Sequence, residues 1–291
     1  MQVGMTLPTM VGGLARDDLL GWSERIDVGP FATLAVGERV SFPNPEILVT
    51  LAGAAAVTTR VRIAATVFVL PMHATAWLAK QAATLDVLSD GRLVVGVGVG
   101  GREEDYRVVG ASFERRHARM DAQVAELRRL WAGEPALPGS APIGPAPVQP
   151  GGPPLWIGAA GETALRRGAR WASGVAGFSL GPEPAEVAAG FRLAERLWRE
   201  AGRAEPPRRV TSFWYALGAD AEERLRAYAV RYLAVFGERP ARALAARCGA
   251  AGAAALRERL AALRDAGADE VLLVPTATGL DELERTADLL G

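Results

Sequence analysis

Cysteine is almost absent from this chain: Cys248 is the only one in 291 residues. A lone cysteine excludes an internal disulfide and any multi-cysteine zinc or iron–sulfur site. A reducing, cytoplasmic setting is the expectation that goes with it. Histidine is nearly as scarce, with two. His73 and His117 stand far apart, so no metal constellation is expected. An excess of one charge is also missing, with 33 Lys and Arg against 33 Asp and Glu and a formal net charge of +0. Proteins that grip a phosphate backbone carry a basic excess, so nucleic acid is not an expected partner. Long apolar runs are lacking too. The most apolar strand-like stretch, 63–70, falls far short of a bilayer span, and no membrane partner is expected. No Arg or Lys precedes Arg16, so no charged leader region is expected either. Lys80 is the only lysine; beside the heavy use of Ala and Gly, this reads as codon bias. Neither a G-x-S-x-G elbow nor a P-loop occurs.

What is present is a regular alternation. At 49% hydrophobic and 23% charged residues the chain has material for a substantial core. Short β-branched runs at 2–7, 31–36, 61–70, 93–97, 155–157, 174–180, 210–217 and 270–274 read as strands. Most are apolar throughout, as parallel strands buried on both faces are. Between them lie amphipathic segments at 73–88, 118–131, 162–171, 184–201 and 280–290. The first sets Leu78, Ala82, Leu85 and Leu88 on one face and stops at Ser89-Asp90-Gly91. Eight strands with intervening helices predict an α/β fold, a (β/α)8 TIM barrel in one domain over 1–291. A doubly wound sheet is the alternative. Two connections exceed what a barrel needs. One is a Pro- and Gly-rich irregular excursion at 133–154, after the fourth helix. The other is an alanine-rich helical insertion at 220–266, between strands seven and eight.

The run Gly91-Arg92-Leu93-Val94-Val95-Gly96-Val97-Gly98-Val99-Gly100-Gly101 contains G-x-G-x-x-G at Gly96, Gly98 and Gly101. A Rossmann fingerprint opens the first βαβ unit, whereas here three strands come first. Glu103, Glu104 and Asp105 follow at once and would repel a pyrophosphate. Glycine alternating with valine suits a different purpose, the close approach of something to the strand backbone. Tight packing inside the barrel is one such purpose; a flat ligand against the strand end is the other.

Residues 78–131, with 153–170 (Pro-Pro-Leu-Trp-Ile-Gly-Ala-Ala-Gly-Glu and onward) and 263–275, resemble the bacterial luciferase-like flavin- or deazaflavin-dependent oxidoreductases. The resemblance covers most of the chain, is specific over 78–131 and is poor over 133–150 and 180–250. It implies a barrel with FMN or the deazaflavin F420 at the C-terminal ends of the strands, where barrel enzymes bind ligands. It implies that Gly96, Gly98, Gly100 and Gly101 make room for the ring and its ribityl chain, and that Gly158-Ala159-Ala160-Gly161 meets the cofactor phosphate. Small residues there also free backbone N–H groups for an anion, and Arg166 and Arg167 follow one turn on. By the same resemblance Thr66 lies beside a backbone bulge with a non-proline cis peptide near 65–67. A homodimer through the helices flanking strands two to four is implied as well.

Candidate catalytic residues are Glu38, Arg39 and His73. F420-dependent members often carry Asp-His where this chain has Glu38-Arg39, and an arginine is a poor general base but can orient an anion. His73 follows Pro71 at the mouth-side end of the third strand; His117, among arginines, reads as structural. In FMN-using luciferases an arginine ends strand four, and the matching residue is Val99. A phosphate monoester there would lack a cation, whereas a singly charged diester needs less. The expected function is therefore F420-dependent hydride transfer with a small-molecule substrate. FMN-dependent monooxygenation with O2 is the alternative, and a non-catalytic flavin or F420 binder is the reading from another class. Specificity is expected from 8–22, 38–46 and 220–250.

Overall fold

The computed structural model describes residues 1–159, 161–178 and 183–291. Its strands are β1 (Gln2–Thr6), β2 (Thr33–Val36), β3 (Arg62–Val69), β4 (Leu93–Gly98), β5 (Leu155–Ile157), β6 (Gly174–Phe178), β7 (Arg208–Ala216), β8 (Ala250–Ala251) and β9 (Glu270–Pro275). All pair in parallel. Strands β1 to β7 run in sequence order around the ring, and β9 closes it between β7 and β1. The sheet is thus a closed eight-stranded (β/α)8 barrel, which excludes the doubly wound alternative. The two-residue β8 hangs on the mouth-side end of β7, pairing Ala250 with Tyr215 and Ala251 with Ala216.

The helices are α1 (Arg16–Val28), α2 (Ile47–Ala56), α3 (Thr75–Leu88), α4 (Glu103–Val108), α5 (Arg116–Trp131), α6 (Glu162–Gly168), α7 (Pro184–Glu200), α8 (Ala221–Leu233), α9 (Glu238–Ala245), α10 (Ala253–Asp265) and α11 (Leu280–Leu290). The helical insertion expected after strand seven is α8 to α10. The acidic run Glu103-Glu104-Asp105 forms the first turn of α4, an element the periodicity did not signal, where carboxylates suit the N-terminal end of the helix dipole. The excursion at 133–154 carries only an isolated bridge between Pro135 and Pro142. It is tied to α3: Lys80 Nζ donates to the Gly144 carbonyl at 2.7 Å, and Gln149 donates to Asp86 through N and Nε2 at 3.0 and 2.7 Å.

Side chains alternate along a strand, so the interior is built in levels. The first residues of five strands meet at the floor: Gln2, Thr33, Arg62, Arg208 and Glu270. Glu270 is fully buried. Its Oε1 accepts from Thr33 Oγ1 at 2.5 Å, and its Oε2 accepts from Arg62 at 2.8 Å and Arg208 at 2.9 Å. Gln2 Oε1 accepts from both guanidinium groups in turn. Above this lies an apolar level of Ala35, Ala64, Val94, Trp156, Val210 and Leu272. Trp156 supplies most of its bulk. Gly174 opposite leaves no room for a Cβ, which would fall 2.8 Å from the indole. At the mouth the inward residues are Thr6, Gly37, Thr66, Gly98, Gly158, Ala176 and Ser212, all small, and the barrel is open there.

Removing one partner from a buried ion cluster strands the others without compensation. Glu270→Ala is therefore expected to lower the unfolding free energy by about 3–5 kcal/mol in urea titrations. Glu270→Gln, which keeps the shape and one acceptor oxygen, is expected to lose less. A change below about 1 kcal/mol for the alanine variant would show that the floor does not rely on this charge.

Candidate active site at the barrel mouth

The open end holds a cleft of about 420 Å3 lined by Thr66, Val67, Gly98, Val99, Gly100, Gly158, Ala159, Ala176, Gly177, Ser212 and Leu272. Of the residues expected at a cofactor, Thr66, Gly98, Val99, Gly100, Gly158 and Ala159 are brought together here. Gly161 stands just beyond, at the N-cap of α6, and Ala160 lies outside the described residues. Another cleft of about 700 Å3, lined by Asp220, Glu222, Glu223 and Arg226 among others, sits between the turn after β7, the start of α8 and the end of β8, and holds none of these residues.

The cleft wall is shaped by β3. Its pairing with β4 slips between Ala65 and Phe68, and the Thr66–Val67 peptide is cis, the geometry expected from the resemblance. The facing glycines complement that irregularity. A Cβ on Gly96 would lie 2.3 Å from the Ala65 carbonyl oxygen, and one on Gly98 or Gly158 would press on Val67 at 3.0 or 2.9 Å. The close approach that these glycines permit is first of all that of β3 itself. Gly100 adopts φ +60°, and a Cβ there would meet Val69 at 2.8 Å. Tyr106 fixes the turn that follows, its hydroxyl donating to the Val99 carbonyl at 2.5 Å. Burial pushes this phenol up to about 12, so it remains a donor at neutral pH.

Glu38 and His73 form one unit. Glu38 Oε2 accepts from the Val69 amide at 2.6 Å, Oε1 lies 2.9 Å from His73 Nε2, and Gln123 Nε2 donates to the His73 carbonyl at 2.9 Å. The Phe68 and His73 rings stack edge to face at 5.6 Å. Both carboxylate oxygens are thus committed to the end of β3 and its following loop, and neither Glu38 nor His73 lines the cleft. Arg39 turns away from its neighbour Glu38 into an aromatic cluster over the mouth, 3.8 Å from the Phe42 ring centroid and 5.2 Å from that of Tyr232. The same cluster holds Trp214 and Tyr228, with Trp214 and Tyr232 edge to face at 5.1 Å. Burial first, and then the like charge of Arg102, lowers the Arg39 guanidinium pKa.

Other candidates lie elsewhere. Arg166 bridges Glu162 and Glu200 on the surface, and Arg167 pairs with Asp121, so both are engaged by carboxylates. His117 sits on α5, its pKa lowered by burial and then by Arg116 and Arg167. Cys248 is buried, and its thiol is pushed up to about 11 by that burial, which makes it unreactive. Among the described residues there is no group of three or more His, Cys, Asp or Glu that could hold a metal, and no helix long and apolar enough to cross a membrane.

Several groups at the mouth went unread in the sequence. Tyr106 and Asp105 stand right after the glycine run, and Asp105 Oδ1 accepts from the Ser41 amide at 2.9 Å, tying the β4 loop to the β2 loop. Tyr228 and Tyr232 are one helical turn apart on α8. That i,i+4 aromatic pair within an alanine-rich helix was the available signal.

The profile described as luciferase-like monooxygenase matches residues 1–279, and the chain belongs to that family. An uncharacterized protein of Mycobacterium tuberculosis (Rv0940c, strain ATCC 25618 / H37Rv) is 34% identical over 175 residues, 56% of this chain and 58% of that one. The match thus spans little more than half the length of this curated relative. In fold, the chain is similar to monooxygenase RslO1 from Streptomyces bottropensis, with a TM-score of 0.83, 22% identity and coverage of 100% and 97% of the two chains. It is also similar to an F420-dependent secondary alcohol dehydrogenase in complex with an F420–acetone adduct, with a TM-score of 0.80, 17% identity and coverage of 99% and 97%.

If Glu38 braces the end of β3, its loss leaves the part-buried Val69 amide and His73 without their acceptor. Glu38→Ala is expected to cost about 1–3 kcal/mol of stability, read as a lower urea midpoint with unchanged slope. An unchanged midpoint would remove this brace.

Proposed function

We propose that the chain is an F420-dependent oxidoreductase that exchanges a hydride with a small organic substrate. The observation that carries this reading is the lining of the cleft, which includes no charged side chain among the described residues. A phosphate monoester carries nearly two negative charges at neutral pH, and placing it against Val99, glycines and alanines would leave it without a direct cation. A singly charged diester fits such a wall better, held by backbone N–H groups such as those of Ala159 and Gly161, since the Gly158 amide is taken by the Val97 carbonyl. Bound F420 supplies a hydride donor or acceptor. The residues of the chain do the rest: Thr66, Val67, Gly98 and Gly100 shape a wall for the flat ring, and Thr66 and Ser212 offer hydroxyls at its edge. In this reading Glu38 and His73 act as positioning residues that hold β3 against the ring, and Arg39 faces the substrate.

FMN-dependent monooxygenation is the second reading. The observation in its favour is Arg102, three residues beyond Val99, whose Nε has no hydrogen-bond partner among the described residues and could turn toward a monoester. A non-catalytic carrier would bind either cofactor, but no substrate would reoxidise or reduce it.

A homodimer through α2 and α3 is part of the proposal. These helices pack side by side and present Val49 and Trp77 to solvent at 74% and 65% exposure, an unusual placement for side chains of that size.

Two outcomes are expected. In equilibrium titrations under one buffer, F420 should bind at least tenfold more tightly than FMN, a difference of about 1.4 kcal/mol, and Val99→Arg should narrow the gap; FMN affinity equal to that of F420 would overturn the assignment. In light scattering, Val49→Glu combined with Trp77→Glu should halve the mass of the particle. A wild-type protein that is already monomeric would end the dimer proposal.

A further inference from the structure

Three arginines converge on one aromatic cluster above the cleft, each from a different segment. Arg39 follows β2, Arg102 follows β4, and Arg231 lies on α8. Arg102 lies 5.6 Å from the Tyr232 centroid, and Arg231 lies 5.6 Å from that of Tyr228 and 6.0 Å from that of Phe42. Arg231 is satisfied, donating to the Met10 and Val11 carbonyls at 3.0 and 2.6 Å. The other two are not. Nε and Nη1 of Arg39 and Nε of Arg102 are shut off from solvent without a hydrogen-bond partner among the described residues. The carboxylate facing them is Asp105, 3.9 Å from Arg102, with its other oxygen taken by Ser41. One carboxylate against three guanidinium groups leaves an excess of positive charge. Aromatic faces attract a cation but accept none of the in-plane N–H bonds.

A fourth orphan lies alongside. The hydroxyl of Thr9, a residue 1% exposed, is buried without a partner among the described residues, and Thr9 lines a recess of about 70 Å3 beside Trp214, Tyr228 and Tyr232. This recess shares Thr66 and Ser212 with the larger cleft, so a molecule within it abuts whatever fills the cleft. Buried donors left unmade are costly, and here they cluster on one side of the mouth. An oxyanion that enters here, displacing the side chains that now cover these donors, meets all of them. A guanidinium presents planar donors suited to carboxylates.

We propose that this recess and the arginines over it form the substrate subsite, and that the substrate is an organic anion. Its carboxylate is held by Arg39 with Arg102, its apolar body lies against Tyr228, Tyr232 and Trp214, and the Thr9 hydroxyl donates to a second oxygen. The assignment rests on the reading that the adjoining cleft holds the cofactor, which leaves this side of the mouth for substrate.

Benzoate and benzyl alcohol, nearly equal in size and differing in charge, serve as probes, followed by quenching of tryptophan fluorescence with and without F420. Wild-type protein is expected to bind benzoate at least tenfold more tightly than benzyl alcohol. Arg39→Met, which keeps the stem over Phe42, should abolish that preference, and Arg39→Lys should restore part of it. F420 affinity should change less than twofold in either variant. Thermal midpoints should be unchanged or higher, because a half-buried cation without hydrogen-bond partners among the described residues has been removed. No preference for benzoate in the wild type would overturn the proposal. So would a tenfold loss of F420 or FMN affinity in Arg39→Met with benzoate binding intact, since the arginine would then serve the cofactor's own anion. A folding role alone would show as a lowered midpoint with the preference retained, and that too would overturn it. Failure of F420 to bind any form, with the benzoate preference present and lost in Arg39→Met, would strike the cofactor reading and leave the subsite standing.

Discussion

The Glu270 carboxylate at the floor of the barrel is the interaction on which the rest of the architecture rests. A small barrel must fill its interior, and this one does so unevenly. The floor is closed by two arginines, a threonine and a glutamine gathered around a single carboxylate, all from the first residues of their strands. One tryptophan fills much of the level above. With two levels occupied, the third can consist of glycine, alanine, serine and threonine without leaving the core hollow. Closed floor and open mouth are two ends of one packing arrangement, and the arrangement matches the division found across barrels between a stabilising N-terminal face and a functional C-terminal one.

At the mouth the controlling constraint is backbone against backbone. The slipped register of β3 pushes the Ala65 carbonyl and the Val67 side chain toward β4 and β5, and Gly96, Gly98 and Gly158 are the residues that tolerate it. Tyr106 then holds the turn after β4, and Glu38 holds the end of β3. The wall of the cleft is therefore fixed from behind by side chains that do not themselves enter it. Such support keeps a site within a small tolerance of its working geometry.

Much of this architecture was legible in the sequence because it rests on local pattern. Most strand runs were apolar throughout, the segments that form α3, α5, α6, α7 and α11 were periodic, and the connections after α5 and after β7 were visibly too long; α1 and α2 went unread. The cleft residues Thr66, Gly98, Val99, Gly100, Gly158 and Ala159 were also readable, since the glycine run and its family resemblance point to them. What could not be read is pairing across distance. Nothing at Glu38 or His73 announces that they bond to each other, 35 residues apart. Nothing at Glu270 announces Arg62 and Arg208, which reach it only when the ring closes. The short α4 was hidden because its acidic first turn reads as a charged loop. The purpose of the glycines was only half visible, because the atoms they accommodate belong to another strand. Arg39 was legible as a cation that could orient an anion, but not as one without hydrogen-bond partners, because that property depends on α8 folding over it.

The arginine cluster at the mouth has a kinetic consequence in a chain whose formal net charge is +0. With no net charge there is no monopole field to draw an anion in from afar. The local excess of Arg39, Arg102 and Arg231 over Asp105 acts only over roughly a Debye length, about 8 Å at physiological ionic strength. Diffusing anions and neutral molecules therefore arrive at the barrel at similar rates, and they are sorted only in the last few ångströms. Electrostatic selection then appears in how long a molecule stays rather than in how fast it comes.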